Sequence, residues 1–167
     1  MMLTRLGMLA ACAAMLVAAP AVHAQDEIGV PVGASAPGAQ VHSLDGKALN
    51  LDQYLGKGPV LLEFWATWCS NCKELEPKFL DMVKKYSPKV AFVDVAVSVN
   101  QSPERVKFYA QKYHYSQAMV YDTDGNAVSA YNVPATSYVV VINKAGKVVY
   151  TGLGGDQDLE SAIKRAL

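Results

Sequence analysis

The chain is poor in metal-binding side chains and carries no excess of either charge. Its 167 residues include three histidines and three cysteines, and 15 basic side chains balance 15 acidic ones. Without a basic excess there is no electrostatic footprint of a nucleic-acid binder, and no run of like charge marks a solvated tail. Internal repeats and low-complexity tracts are also missing. With 51% hydrophobic residues, the composition is that of one globular domain large enough for a real core. A zinc site built on Cys69 and Cys72 would need two further ligands, and only His42 and His114 lie outside the N-terminal segment.

Part of the hydrophobicity sits at the start. Arg5 is the only charge before Asp26, and Leu6 to Val22 is almost wholly apolar. Small side chains around Val22-His23-Ala24 give residues 1–24 the form of a secretory signal peptide cleaved after Ala24. Two alternatives stay open: about seventeen apolar residues retained as a tilted membrane anchor, or lipidation at Cys12 after Leu9-Ala10-Ala11. Cleavage would leave Cys69 and Cys72 as the whole cysteine complement. One closely spaced pair in an exported protein is not a disulfide scaffold; it is there to react.

The pair stands in Phe64-Trp65-Ala66-Thr67-Trp68-Cys69-Ser70-Asn71-Cys72-Lys73, just after the strand-like Val60-Leu61-Leu62-Glu63-Phe64. If a helix begins at Cys69, three residues is nearly one turn, so both sulfurs share a side and can close a small ring. The free N–H groups and the dipole of that first turn favour a thiolate on Cys69. Cys69 is expected to be exposed and Cys72 buried. A structural disulfide is the competing reading.

Residues 25–38 are rich in Gly, Pro, Ala and Ser and read as a linker to a domain over 39–167. Alternation from Ala39 to Leu44, Asp45-Gly46 and Lys47 to Asn50 predict a hairpin. A helical turn is expected over Leu51–Leu55, strands over Val60–Trp65, Val90–Val99, Ala118–Tyr121, Ser137–Ile142 and Val148–Thr151, and helices from Cys69 to Tyr86, Ser102 to Tyr113 and Asp124 to Tyr131. Pro77 should kink the first helix, and Asp156 should cap a last one ending at Ala166. The pattern is α/β, with a mixed sheet covered by helices on both faces.

The strand, the Trp-Cys-Xaa-Xaa-Cys-Lys motif, the internal proline and a later Val133-Pro134 resemble the thioredoxin superfamily. The leading hairpin and the extra helix-strand unit from Pro103 to Tyr121 are most similar to its exported TlpA/ResA-type thiol-disulfide oxidoreductases. The resemblance covers Gly33 to Leu167. It implies a thioredoxin-like fold, attack by Cys69, resolution by Cys72, and no cofactor beyond their redox-active disulfide. It further implies a cis-proline at Pro134 facing the disulfide, with the backbone of Val133 pairing with substrate, and Trp68 as the aromatic beside the site with Trp65 as support. Implied partners are exported proteins with thiols or disulfides, apocytochrome c among them, and a membrane thiol reductase as electron donor. A periplasmic or otherwise extracytoplasmic monomer is expected.

Two positions depart from the closest pattern. Where many cytochrome-maturation members carry an acid, three residues after the second cysteine, this chain has Leu75, flanked by Glu74 and Glu76, which read as solvated helix charges. Glu63 stands six residues before Cys69, where thioredoxins carry a buried aspartate. With Cys72-Lys73-Glu74-Leu75-Glu76 it is locally similar to the C-terminal domain of the interchange protein DsbD. Alone in an apolar strand, Glu63 is the candidate proton acceptor for Cys72, since burial raises a carboxyl pKa toward neutrality; a carboxylate reaching the sheet edge is the alternative. Lys73 stands where covalent haem attachment needs histidine. The runners-up are a Sco-like copper chaperone using the two thiolates with His114, and a disulfide oxidase or isomerase on the same fold.

Overall fold

A computed structural model describes residues 29–167; the expected signal peptide or anchor, its expected cleavage site and Cys12 lie outside the described residues. Seven strands form one mixed sheet in the order β2-β1-β5-β4-β3-β6-β7. They are β1 (Gln40–His42), β2 (Ala48–Asn50), β3 (Val60–Trp65), β4 (Ala91–Val97), β5 (Ala118–Asp122), β6 (Tyr138–Ile142) and β7 (Val148–Leu153). The helices are α1 (Ser70–Tyr86), α2 (Pro103–Lys112), α3 (Asn126–Ala130) and α4 (Leu159–Lys164). No helix among the described residues is long and apolar enough to cross a membrane.

β3 is the strand that carries the chain into the cysteine motif, and it lies deep in the sheet. It runs parallel to β4 and antiparallel to β6, and every one of its residues is buried. Its run of apolar residues, broken only by Glu63, suits a strand covered on both faces. Leu62 and Phe64 join Val93, Val95, Val140 and α3's Ala127 in the core on one face. On the opposite face Leu61 packs with Leu75, Phe79 and Val83 of α1 and with Leu159, Ala162 and Ile163 of α4. Those α1 positions recur every three to four residues, the spacing of one helical face, and fully burying a leucine or phenylalanine contributes roughly 1.5–3 kcal/mol. Trp65, Cys69, Cys72 and α2's Val106 continue that second face as a third cluster.

Several boundaries differ from expectation for local reasons. Residues 29–38 do not run free as a linker. The Gly33 N–H donates to the Val148 carbonyl at 2.8 Å and the Ala36 N–H to the Gly146 carbonyl at 2.8 Å, while the Val30 N–H donates to the Tyr138 hydroxyl. Gly29, with φ +92, lies so close to that hydroxyl that a Cβ would collide with it. The last helix is capped by Asp158, whose carboxylate accepts from the Ser161 N–H at 3.0 Å; Asp156 instead pairs with Lys78 at 2.7 Å. α3 starts after Gly125 and takes its N-terminal bonds from Asp122, which accepts from the Ala127 and Val128 N–H groups. α1 is a single helix with Pro77 inside it.

Candidate active site

Cys69 is the N-cap of α1, and its sulfur accepts from the Cys72 N–H at 3.0 Å. The two cysteines form a disulfide with Cα atoms 5.3 Å apart. That bond to sulfur is one a thiolate would strengthen, since an anion at a helix start meets free N–H donors. Contrary to the expected contrast in exposure, Cys69 (4%) and Cys72 (5%) are about equally buried in the oxidised form, because Cys69 is tucked against the cluster of Trp65 and Ala66.

The approach loop is held from the side. The Thr67 N–H donates to Gln101 Oε1 at 2.9 Å, and Gln101 Nε2 donates to the Val97 carbonyl at the end of β4. Trp68 remains 42% exposed, with its Nε1–H donating to the Val99 carbonyl at 2.8 Å. It stands beside the disulfide with its orientation fixed. Trp65 is buried, with ring centroids 5.5 Å from Tyr109 and 5.9 Å from Tyr115.

Val133 and Pro134 stand differently from what the resemblance implied. All described peptide bonds are trans, Val133–Pro134 included. The Val133 N–H already donates to the Val128 carbonyl at 2.9 Å, and its side chain packs on the α3-side core. The residue immediately before β6 is Ser137, buried with φ +67. Its N–H donates to the Phe64 carbonyl, its hydroxyl to the Gly154 carbonyl, and its own carbonyl accepts from Gln157. A non-glycine residue persists in this region only when its surroundings over-determine it. No glycine or turn dipeptide marks the position in the sequence.

Beneath Cys72 is a small cavity of about 10 Å³, at the threshold for a single water. Glu63 from β3, Asp94 from β4 and Glu76 from α1 all line it together with Cys72. Glu63 and Asp94 are register partners in the parallel β3–β4 ladder and are 6% and 1% exposed. Glu76 follows Cys72 by four residues, so the helix stacks it directly below the sulfur. It is half-buried and accepts from the Tyr109 hydroxyl at 3.0 Å; of the two acids read as solvated, only Glu74 is exposed.

Burial, then the neighbouring Asp94 and Glu76 charges, hold the Glu63 carboxyl well above its ordinary range. Burial also pushes Asp94 up to about 7, although the bond it accepts from Gln117 Nε2 at 2.6 Å pulls it down. Asp94 and Gln117 were missed as site residues. Asp94 carried the same signal as Glu63, a lone acid in an apolar run, whereas nothing local distinguishes Gln117. Among the described residues no group of three or more His, Cys, Asp or Glu is placed to hold a metal ion. His114 is exposed and does not line the cavity beneath Cys72.

A dithiol-forming pair at a helix start, on a mixed sheet of this topology, with ionisable groups packed under the second sulfur, defines a thiol-disulfide oxidoreductase of thioredoxin-like fold. The chain belongs to the Redoxin family, whose pattern it matches over residues 31–167. It is similar to the thiol-disulfide oxidoreductase ResA of Bacillus thuringiensis subsp. konkukian, at 30% identity over 80% of this chain and 78% of that one. It is also similar to ResA of Bacillus subtilis, at 34% identity over 70% of this chain, a match spanning 64% of that relative's length. Its fold is that of the thioredoxin domain of a thiol-disulfide oxidoreductase from Bacteroides vulgatus, with a TM-score of 0.70 at 20% identity, covering 83% of this chain and 99% of that one.

Proposed function

We propose that this protein is exported and reduces disulfides in other exported proteins by dithiol exchange. The observation that carries the reading is Cys69 at the α1 N-cap with Cys72 one turn on, above a cavity lined by carboxyl groups. Thiolate Cys69 attacks a substrate disulfide and forms a mixed disulfide, releasing one substrate thiolate. Cys72 loses its proton and attacks Cys69 Sγ, the Cys69–substrate bond breaks, and the second substrate sulfur leaves as thiolate. The substrate gains two electrons and the Cys69–Cys72 disulfide is restored. Glu63 takes the Cys72 proton, and exposed Trp68 gives the substrate an aromatic surface beside the reacting sulfur.

Export rests on the apolar stretch from Leu6 to Val22 and the small residues before Gln25. The reducing direction, with a membrane thiol reductase as electron donor and apocytochrome c among the substrates, rests on the ResA-type resemblance. The cysteine roles are tested by single substitutions. Cys69→Ser should abolish reduction of a protein disulfide, and Cys72→Ser should accumulate a mixed disulfide visible on non-reducing gels. Equal trapping by both variants would contradict the assigned roles.

A further inference from the structure

Two buried acids side by side are more than one proton acceptor needs. Glu63 and Asp94 occupy paired positions on adjacent strands, on the same face, and line one cavity with Cys72. Their environments differ in one respect that decides where charge resides. Asp94 Oδ2 accepts from Gln117 Nε2 at 2.6 Å, a bond that favours its anion. Its other oxygen, Oδ1, is buried without a hydrogen-bond partner among the described residues, which a protonated carboxyl neighbour would satisfy.

We propose that Glu63 and Asp94 work as one carboxyl pair, with Asp94, fixed by Gln117, bearing the negative charge and Glu63 the shared proton. Asp94 is thus a positioning residue, acting on Cys72 through Glu63. The proposal rests on the reading of Cys72 as the resolving thiol whose proton is taken up inside the protein. As Cys72 attacks Cys69 Sγ, its proton passes to Glu63 while the Glu63 proton moves to Asp94. The pair ends neutral with two protons, and the departing substrate thiolate carries away the negative charge. In the opposite direction the same pair returns the proton.

Two like charges in so small a space cannot both persist, so the second ionisation of the pair is pushed far up and the pair stays singly charged over a wide pH range. From α1, Glu76 reinforces the repulsion, and Lys73 sits exposed at the rim. From α2 and the segment after it, the Tyr109 and Tyr115 hydroxyls are held above their ordinary range, chiefly by burial and then by Glu76. Both therefore stay protonated, and the Tyr109 hydroxyl donates to Glu76 at 3.0 Å.

The test is the pH profile of the resolving step. The reduced protein is loaded with a glutathione mixed disulfide on Cys69, and its resolution is followed by rapid quench. In the wild type the rate should rise as the pair first ionises. Asp94→Asn removes the member that ionises first, and Gln117→Leu removes the donor that stabilises its anion. Each should move the midpoint upward by about one pH unit, which a merely structural lesion would not do. The half-buried position of Gln117 makes its variant the safeguard if Asp94→Asn folds poorly. Glu63→Gln should slow resolution about 10- to 100-fold near neutral pH, with recovery only at higher pH where Cys72 ionises unaided. It should also remove an infrared band of a protonated carboxyl that persists in the wild type at about pH 8. Unmoved midpoints in both Asp94→Asn and Gln117→Leu, with Glu63→Gln still slow, would overturn the pair and leave Glu63 acting alone. An unchanged rate in Glu63→Gln would overturn the relay and the pair together, while trapping at Cys69 would still test the dithiol chemistry separately.

Discussion

On the α3 side of the sheet, β3 and β4 present Leu62, Phe64, Val93 and Val95 to a core with Tyr131 and Tyr138. On the α1 side the same two strands present Leu61, Glu63 and Trp65, and Phe92, Asp94 and Ala96. The backbone ladder is shared, so the faces differ only by the alternation of side chains along it. One face is dry and serves stability. The other is interrupted, between the cluster of Leu75 and Phe79 and the cluster of Trp65 and the cysteines, by the acids that we propose to serve proton transfer. A buried carboxyl destabilises a fold unless it is paired or neutral. Proton transfer to and from Cys72 is the reason we propose for bearing that cost.

The largest effect should come from breaking the dry face. Phe64 is fully buried against Tyr131 and Tyr138, with ring centroids at 5.4 and 6.1 Å. Phe64→Ala should lower unfolding free energy by about 3–5 kcal/mol in urea titrations, and the fraction that stays folded should keep its pH profile of exchange. A shifted profile would mean that the two faces are not separable.

The α1 side should respond with the opposite sign. The Asp94 carboxyl is raised from its ordinary value to about 7 in the fold. The folded state therefore holds this proton more tightly than the unfolded chain. The associated stabilisation is fully present below about pH 4, the unfolded value, and is lost as pH rises through about 7. Asp94→Asn should escape that loss. Relative to wild type it should gain stability as pH rises from 4 toward 7, by about 4 kcal/mol, and the difference should level off above. Denaturant titrations at mildly acidic and mildly alkaline pH check this; a pH-independent difference would place the Asp94 effect in packing rather than ionisation.

The fold was legible where alternation and punctuation agree. Asp45-Gly46 between apolar runs announced the hairpin, and Ser102-Pro103 announced α2, whose Ser102 hydroxyl accepts from the Arg105 N–H as a cap should. Sequence reading failed where a distant strand or helix decides. Residues 29–38 look like a linker because their composition is that of a loop, but β7 and Tyr138 supply the partners that order them. Asp156 and Asp158 offer similar caps by composition, and Lys78 on α1 draws the first away. Cys69, Cys72 and Glu63 were legible from local order alone. Glu76 was misjudged because its charge suggested solvent, while its spacing of four from Cys72 already placed it under the sulfur. The Asp94–Gln117 contact spans 23 residues, and no local pattern reports such a bond. Val133-Pro134 shows the converse error: a dipeptide in the expected order, but three residues too early to stand directly ahead of β6.

The functional contrast between the two faces requires that the acids under Cys72 handle its proton. Glu63→Gln keeps volume and hydrogen-bonding capacity but cannot take up a proton as a carboxylate does. In single-turnover rapid-quench experiments the mutant should form the mixed disulfide at near wild-type speed, because that step belongs to Cys69. Its resolution by Cys72 should be slower by about 10- to 100-fold near neutral pH, the low end of general-base contributions, and should recover at higher pH as Cys72 ionises unaided. A resolution rate equal to wild type at neutral pH would contradict the account and leave Glu63 a structural residue.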